Sequence, residues 1–286
     1  MKGHDTQLRA AWRYDAGPGG LIWQLMFTAK GDLVGQKRFP DTRRAVLFGI
    51  DVPSGRAFSD DYLLMDDLLP ASPGEGWFTG METTTADLVC CYGYRPQSPE
   101  HQGIWAVDLR RERVRWSRPE LVFAAHLGSE LLVYRTSVFA GFPERHFLSI
   151  DPETGADIRI IGDDGPAVNA LRDEAMAEEQ RQEILLSELV SDGTGAGRLR
   201  LCAVGVAESV LSECILQGEL LVAALHEPAG SGGLWNSSIR VWRGEQLIYQ
   251  DRMDAGASRP GLNNFLCRRG RLYYIAGKSQ LVSVAL

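Results

Sequence analysis

The sequence has no run of about 18 or more apolar residues, so neither a helical membrane span nor a membrane partner is expected. Its start, MKGHDTQLRAAWRYD, lacks the apolar core of a signal peptide, which predicts a cytoplasmic protein. Positive charge is in short supply. Thirty Lys and Arg stand against 37 Asp and Glu, a formal net charge of −7. A mostly anionic surface repels a phosphate backbone, so nucleic acid is not expected as a partner. Cysteines are few and odd in number (Cys90, Cys91, Cys202, Cys214, Cys267), with no CxxC or CxxH spacing. They read as buried free thiols of a reducing compartment. The five histidines, His4, His101, His126, His146 and His226, show no pair at metal spacing. No serine has a Gly–x–Ser–x–Gly setting, and GTGAGR (193–198) lacks the Lys-Ser/Thr of a phosphate loop. No catalytic residue, metal site or cofactor is therefore expected.

What is there is a repeated hairpin. LFGIDVPSGRAF (47–58), IWAVDLRRERVRW (104–116) and FLSIDPETGADI (147–158) each run from an apolar strand through an Asp into a tight turn and a second strand. A related hairpin, IRVWRGEQLIYQ (239–250), has Trp242 in place of the Asp. Asp51, Asp108 and Asp151 can start such turns because a short carboxylate bonds the backbone N–H groups that follow. Two further apolar runs precede each hairpin, giving units of four short strands. The hairpins follow one another at 57, 43 and 91 residues, to be compared with the period of roughly 40–50 of propeller blades. A four-stranded sheet cannot bury both faces alone, and stacking such sheets buries them. With 44% hydrophobic residues the chain can build that core as one domain over 1–286. The C-terminus offers three strands (263–269, 271–277, 279–286), and LRAAWRYD (8–15) is left over at the N-terminus. Pairing 8–15 with 279–286 would complete the last sheet. The expectation is an all-β propeller of about five blades, six being possible.

The figure hydrophobic–Asp–x–x–(Ser/Thr)–Gly resembles the degenerate repeats of quinoprotein-type β-propellers. As a whole the chain resembles a bacterial propeller family with no assigned function. The resemblance implies a fold and no particular activity.

Residues 163–207 fit no blade. DDGPAVNALRDEAMAEEQRQEILLSELV, with Asp164 as N-cap and Pro166 in the first turn, predicts an amphipathic helix over about 166–189. Leu171, Leu185 and Leu189 would face protein. The segment 198–205 then reads as one extra strand. SDDYLLMDDLLP (59–70) offers Asp60, Asp61, Asp66 and Asp67, which read as a solvated connection. RRERVRWSR (110–118) alternates as a charged edge strand, which blocks aggregation.

Loops 95–103, 136–145 and 227–235 are long, and elaborated loops on a rigid scaffold are where binding usually resides. The binding candidates are Trp235, Arg145, His101 and His226, joined by Trp23 and Trp77 on or beside inner strands. The function expected is a non-catalytic binding or scaffolding propeller whose partner, a protein or a small molecule, engages the long-loop rim together with the insertion. The rival is a glycoside-hydrolase-like enzyme, for which Glu82 and Glu213 are the nearest inner-strand acids.

Overall fold

Short alternating apolar runs separated by Gly, Asp and Asn fold as strands. The computed structural model, which describes residues 7–66, 72–94, 98–190, 195–230 and 232–286, contains five antiparallel sheets of four or five strands. They are the blades of an all-β propeller fold, and β1 (Ala10–Asp15) stands apart in sequence from the sheet it completes. The chain divides into two compact units, Pro18–Gln182 and the described residues up to Gly17 together with Glu183–Leu286.

The Pro18–Gln182 unit holds three four-stranded sheets. The first is β2 (Leu21–Phe27), β3 (Leu33–Phe39), β4 (Arg44–Asp51) and β5 (Arg56–Leu63). The second is β6 (Thr79–Thr84), β7 (Val89–Tyr94), β8 (His101–Asp108) and β9 (Arg113–Arg118). The third is β10 (Val122–His126), β11 (Leu131–Phe139), β12 (Phe142–Ile150) and β13 (Asp157–Gly162). Each is a simple meander. Val34, Leu47 and Met81 of the first two sheets pack with Val89, Trp105 and Val107. Leu88, Cys90 and Ile104 of the second pack with Leu131, Leu148 and Ile150 of the third.

The repeated hairpin joins the third and fourth strands of each of these sheets. Asp151 Oδ1 accepts from the backbone N–H groups of Glu153 and Thr154 at 2.9 and 2.8 Å. Asp51 Oδ1 accepts from Ser54 N–H and the Ser54 hydroxyl, and Asp108 Oδ1 from Arg111 N–H. The hydroxyl of Ser54 or Thr154 holds Asp51 and Asp151 below the usual carboxylate range. Gly155, at φ +70°, also leaves room for Trp116, whose ring lies 2.7 Å from where a Cβ would stand.

The other unit holds two five-stranded sheets. One runs β1–β22–β21–β20–β14, with β14 (Ile184–Leu186), β20 (Phe265–Arg268), β21 (Arg271–Ala276) and β22 (Gln280–Ala285). The second is β15 (Glu188–Leu189), β16 (Leu211–Gln217), β17 (Leu220–Pro228), β18 (Trp235–Arg243) and β19 (Gln246–Ala257). β1 pairs with β22 from Ala10↔Val284 to Asp15↔Gln280, as expected. Arg13 locks it there, donating to Gln280 Oε1 at 2.7 Å and to Asp251 Oδ2 at 2.5 Å.

The insertion departs from expectation. Helix α1 (Gly165–Glu174) starts at the Asp164 cap, whose carboxylate accepts from Ala167 N–H, but it ends within ten residues. After a single turn, α2 (Glu178–Arg181), Glu183 at φ +58° breaks the helical path. Residues 184–189 then pair as β14 and β15 with the edges of β20 and β16. Backbone groups on those edges gain partners, a demand that outweighs helical periodicity. Leu185 and Leu189 are 41% and 56% exposed and do not face protein. The expected strand at 198–205 is instead α3 (Ala196–Ala203). Its Arg198 and Leu201 are buried while Leu199 is exposed, the i, i+3 spacing of a helix face and not the alternation of a strand.

Asp60 and Asp61 lie within β5 and pair with the buried ammonium of Lys37 at 2.5 and 3.0 Å. Asp66 is buried and accepts from Trp105 Nε1, so it is not a solvated loop residue. β9 is the outermost strand of its sheet, as expected of the Arg-rich segment. All five cysteines are free, and Cys202 differs from the expected burial in being exposed. His4, Asp67, 95–97, 191–194 and 231 fall outside the described residues.

Candidate functional site

In the Pro18–Gln182 unit, the ends of the first two sheets gather aromatic and cationic side chains. β2 pairs with β3 in a register that shifts between Ile22 and Gln24, so Trp23 is the extra residue of a bulge. Bulges re-aim side chains, and the Trp23 indole is 58% exposed. Arg38, near the end of β3, lays its guanidinium 4.6 Å from the Trp23 ring centre and 5.1 Å from that of Trp77. Trp77 follows a 3-10 turn at Pro73–Gly76, and its N–H donates to Gly74 O. Arg38 Nη2 donates to Thr79 O at 3.0 Å and Nε to Gln36 Oε1 at 3.2 Å, which fixes the plane of the cation. Arg43 lies over the exposed ring of Phe78 beside it. Partial burial lowers the pKa of Arg38, and among the described residues no carboxylate forms an ion pair with it.

The second sheet adds a titratable pair at the same sheet ends. Tyr94 of β7 lies opposite His101 of β8. The His101 ring stacks on Tyr92 with centres 3.5 Å apart and planes 10° apart, while Tyr94 meets it edge-on. His101 Nδ1 and Glu82 Oε2 are 2.9 Å apart. Burial, reinforced by the Glu178 carboxylate, pushes the Glu82 carboxyl up to about 7. Burial also lowers His101. Burial thus works against the charged form of both partners.

The single turn of α2 closes over inner strands of this unit. Glu178 Oε1 and Oε2 accept from Thr83 Oγ1 at 3.0 and 2.9 Å. Arg181 Nη2 donates to the hydroxyls of Thr83 and Thr84 at 3.1 Å. Gln182 Oε1 accepts from Phe27 N–H at 2.7 Å. This part of the insertion ties β2 to β6.

Of the six binding candidates, Trp23, Trp77 and His101 belong to this cluster of neighbouring sheet ends. Arg145 lies in the same unit on the exposed β11–β12 hairpin, its guanidinium 4.9 Å from the Tyr134 ring. Trp235 and His226 belong to the other unit. Trp235 opens β18, half-buried, opposite Pro228. His226 is 0% exposed, with Nδ1 2.8 Å from Ser237 Oγ and Nε2 3.3 Å from Glu213 Oε2. Both ring nitrogens are engaged inside the sheet, which makes it a packing histidine and not a group presented to a ligand. Sequence reasoning missed Arg38. It lies in the polar run Gln36–Lys37–Arg38 near the end of β3, where no alternation marks it as a site residue.

Fold and site together define a β-propeller with an aromatic–arginine surface on one of its units. No protein-family model matches the chain, and no curated relative matches it. Among solved structures, the β-propeller domain of the Trilobed protease from Pyrococcus furiosus is similar at 8% identity and a TM-score of 0.31, over 92% of this chain and 79% of that one. A glycosyl hydrolase from Bacteroides ovatus is similar at 11% identity and a TM-score of 0.29, over 93% of this chain and 84% of that one. The acylaminoacyl peptidase of Pyrococcus horikoshii is similar at 9% identity and a TM-score of 0.27, over 90% of this chain. This chain spans 36% of that peptidase's length.

Proposed function

We propose that the chain is a non-catalytic binding propeller, cytoplasmic, that captures a carboxylate-bearing ligand with a flat face at Trp23, Arg38 and Trp77. The observation that carries this reading is the Arg38 guanidinium, half-buried against two indoles and free of any carboxylate among the described residues. A desolvated cation with a donor edge to spare favours an anion. The exposed indole beside it offers a stacking surface for a sugar or aromatic ring. The free cysteines support a reducing compartment. The residues behind the quinoprotein-like repeat, Asp51, Asp108 and Asp151, are used in turns and add nothing to the site.

The rival reading, a glycoside-hydrolase-like enzyme, draws on Glu82, since a carboxyl that keeps its proton near neutrality suits a general acid. Glu178, the other acid acting on it, is committed to Arg181, Thr83 and Gln182, so binding ranks first.

The test is a tryptophan-fluorescence titration with glucuronate and 4-hydroxyphenylacetate, with methyl glucoside as the uncharged control. At least one acid should give saturable binding that the control does not. Arg38→Gln or Trp23→Ala should weaken it by about tenfold or more while leaving the melting temperature nearly unchanged. Saturable binding that survives both substitutions, or none by either acid, overturns the reading.

A further inference from the structure

We propose that the unit ending in Leu286 carries a separate pocket for a phosphate-class oxyanion, built on the β18–β19 hairpin. A cavity of about 460 Å³ lies there, lined by Glu227, Asn236, Ser238, Arg240, Gln250 and Arg252 among others. Ser238 and Arg240 alternate on β18, on the face opposite the buried Ile239 and Val241. Register places Ser238 across from Arg252 and Arg240 across from Gln250, so these four side chains share one face. The two arginines are diagonal neighbours, a spacing of about 7–8 Å between backbones that one tetrahedral anion bridges.

Two features mark this face as incomplete. Ser238 Oγ and Arg240 Nε are both buried and without a hydrogen-bond partner. Such orphans are rare, and two on alternate residues of one strand, lining the same cavity, point to a face built to bind a ligand. The second feature is charge. Arg240 and Arg252 share one face of the hairpin, and among the described residues neither meets a carboxylate.

The remaining groups at the cavity favour an acceptor-only ligand. Asn236 Oδ1 accepts from Gly256 N–H at 3.1 Å, which leaves its amide nitrogen as the donor end. Asp251 also lines the cavity, but its carboxylate is taken by Arg13 and Tyr274. Glu227, exposed and across from Asn236, is the one acid left at the cavity among the described residues. Water can satisfy a hydroxyl but cannot neutralise two guanidinium groups. An oxyanion that accepts several hydrogen bonds does both.

The experiment is calorimetric titration of the full chain with inorganic phosphate and, separately, glycerol 3-phosphate, at ionic strength matched with chloride. Saturable binding is expected for at least one, and the tighter of the two identifies the source as free phosphate or a phosphomonoester. Arg252→Gln, at an exposed position, should weaken it by about tenfold or more, and Glu227→Gln should tighten it. Arg240→Gln should weaken it as well. Should that variant fail to fold, the two exposed substitutions decide alone. Absence of saturable binding by either phosphate, or binding that Arg252→Gln and Glu227→Gln leave unchanged, overturns the proposal.

Discussion

Glu82 and Glu213 stand on comparable strands of their sheets and each meets a histidine, yet their surroundings drive them in opposite directions. Burial alone would push Glu213 up. Donors from His226, from Asn263 N–H at 2.9 Å and from the Ser187 hydroxyl at 3.1 Å nonetheless hold it below the usual carboxylate range. Glu82 has His101 as its one hydrogen-bond partner among the described residues, and burial with the Glu178 charge lifts it to about 7. One carboxylate is fully partnered and structural. The other is left under-partnered beside a cationic, aromatic surface. The same residue pair thus holds a sheet together in one region and leaves a titratable group at a candidate site in the other.

The largest expected effect breaks the structural pair. Glu213→Ala strands the buried His226 ring, the Asn263 N–H and the Ser187 hydroxyl at once. Loss of a buried charged partner of this kind costs about 3–5 kcal/mol. Urea unfolding should show that loss, and a change near that of an ordinary surface substitution would remove the contrast between the two pairs.

Next comes the sign of the pH dependence at Glu82. Its folded pKa lies above the unfolded value near 4.5, so the folded state binds the extra proton between about 4.5 and 7. Stability from this group is present at low pH and is lost as pH rises through 7. Glu82→Gln removes that loss. The variant should equal the parent near pH 4 and exceed it above pH 7 by up to about 3 kcal/mol. Glu213 runs the other way, its stabilisation being present above the ordinary carboxylate range and lost as pH falls through its lowered value. Parallel denaturant midpoints at pH 4, 6 and 8 check both signs, and a Glu82→Gln advantage that does not grow with pH would contradict the raised value.

How much of this was legible follows from how local each feature is. The Asp–x–x–Ser/Thr–Gly turns carry their chemistry within five residues, so hairpins, edge strands and the N-terminal completion could be read from sequence. Glu82, Glu213, His101 and His226 were each visible as candidates. Their pairing was not, because it depends on strand register across 19 and 13 residues. Arg38 was hidden for the same reason. Its stack joins β2, β3 and the turn before β6, and one member, Trp23, is placed by a bulge. The insertion misled in the opposite way. Its helical period was real over α1, but the open edges of β16 and β20 drew 184–189 into pairing.

The smallest expected effect sharpens the cause of the contrast. If the Glu82 shift arises from burial and the Glu178 charge, His101 is not what raises it. His101→Phe keeps a flat ring for the stack on Tyr92 and removes both ring nitrogens, and with them the hydrogen bond between Nδ1 and Glu82. Its stability change should be within about 1 kcal/mol, the value of a single exchanged hydrogen bond. The carboxyl of Glu82, followed by carbon NMR through a pH titration, should still turn over well above 4.5 in this variant. At Glu213 the histidine contributes directly to the lowered value, through the hydrogen bond from His226. A return of Glu82 to an ordinary carboxylate titration in His101→Phe would make the two pairs alike, with the histidine and not the burial setting the charge in both.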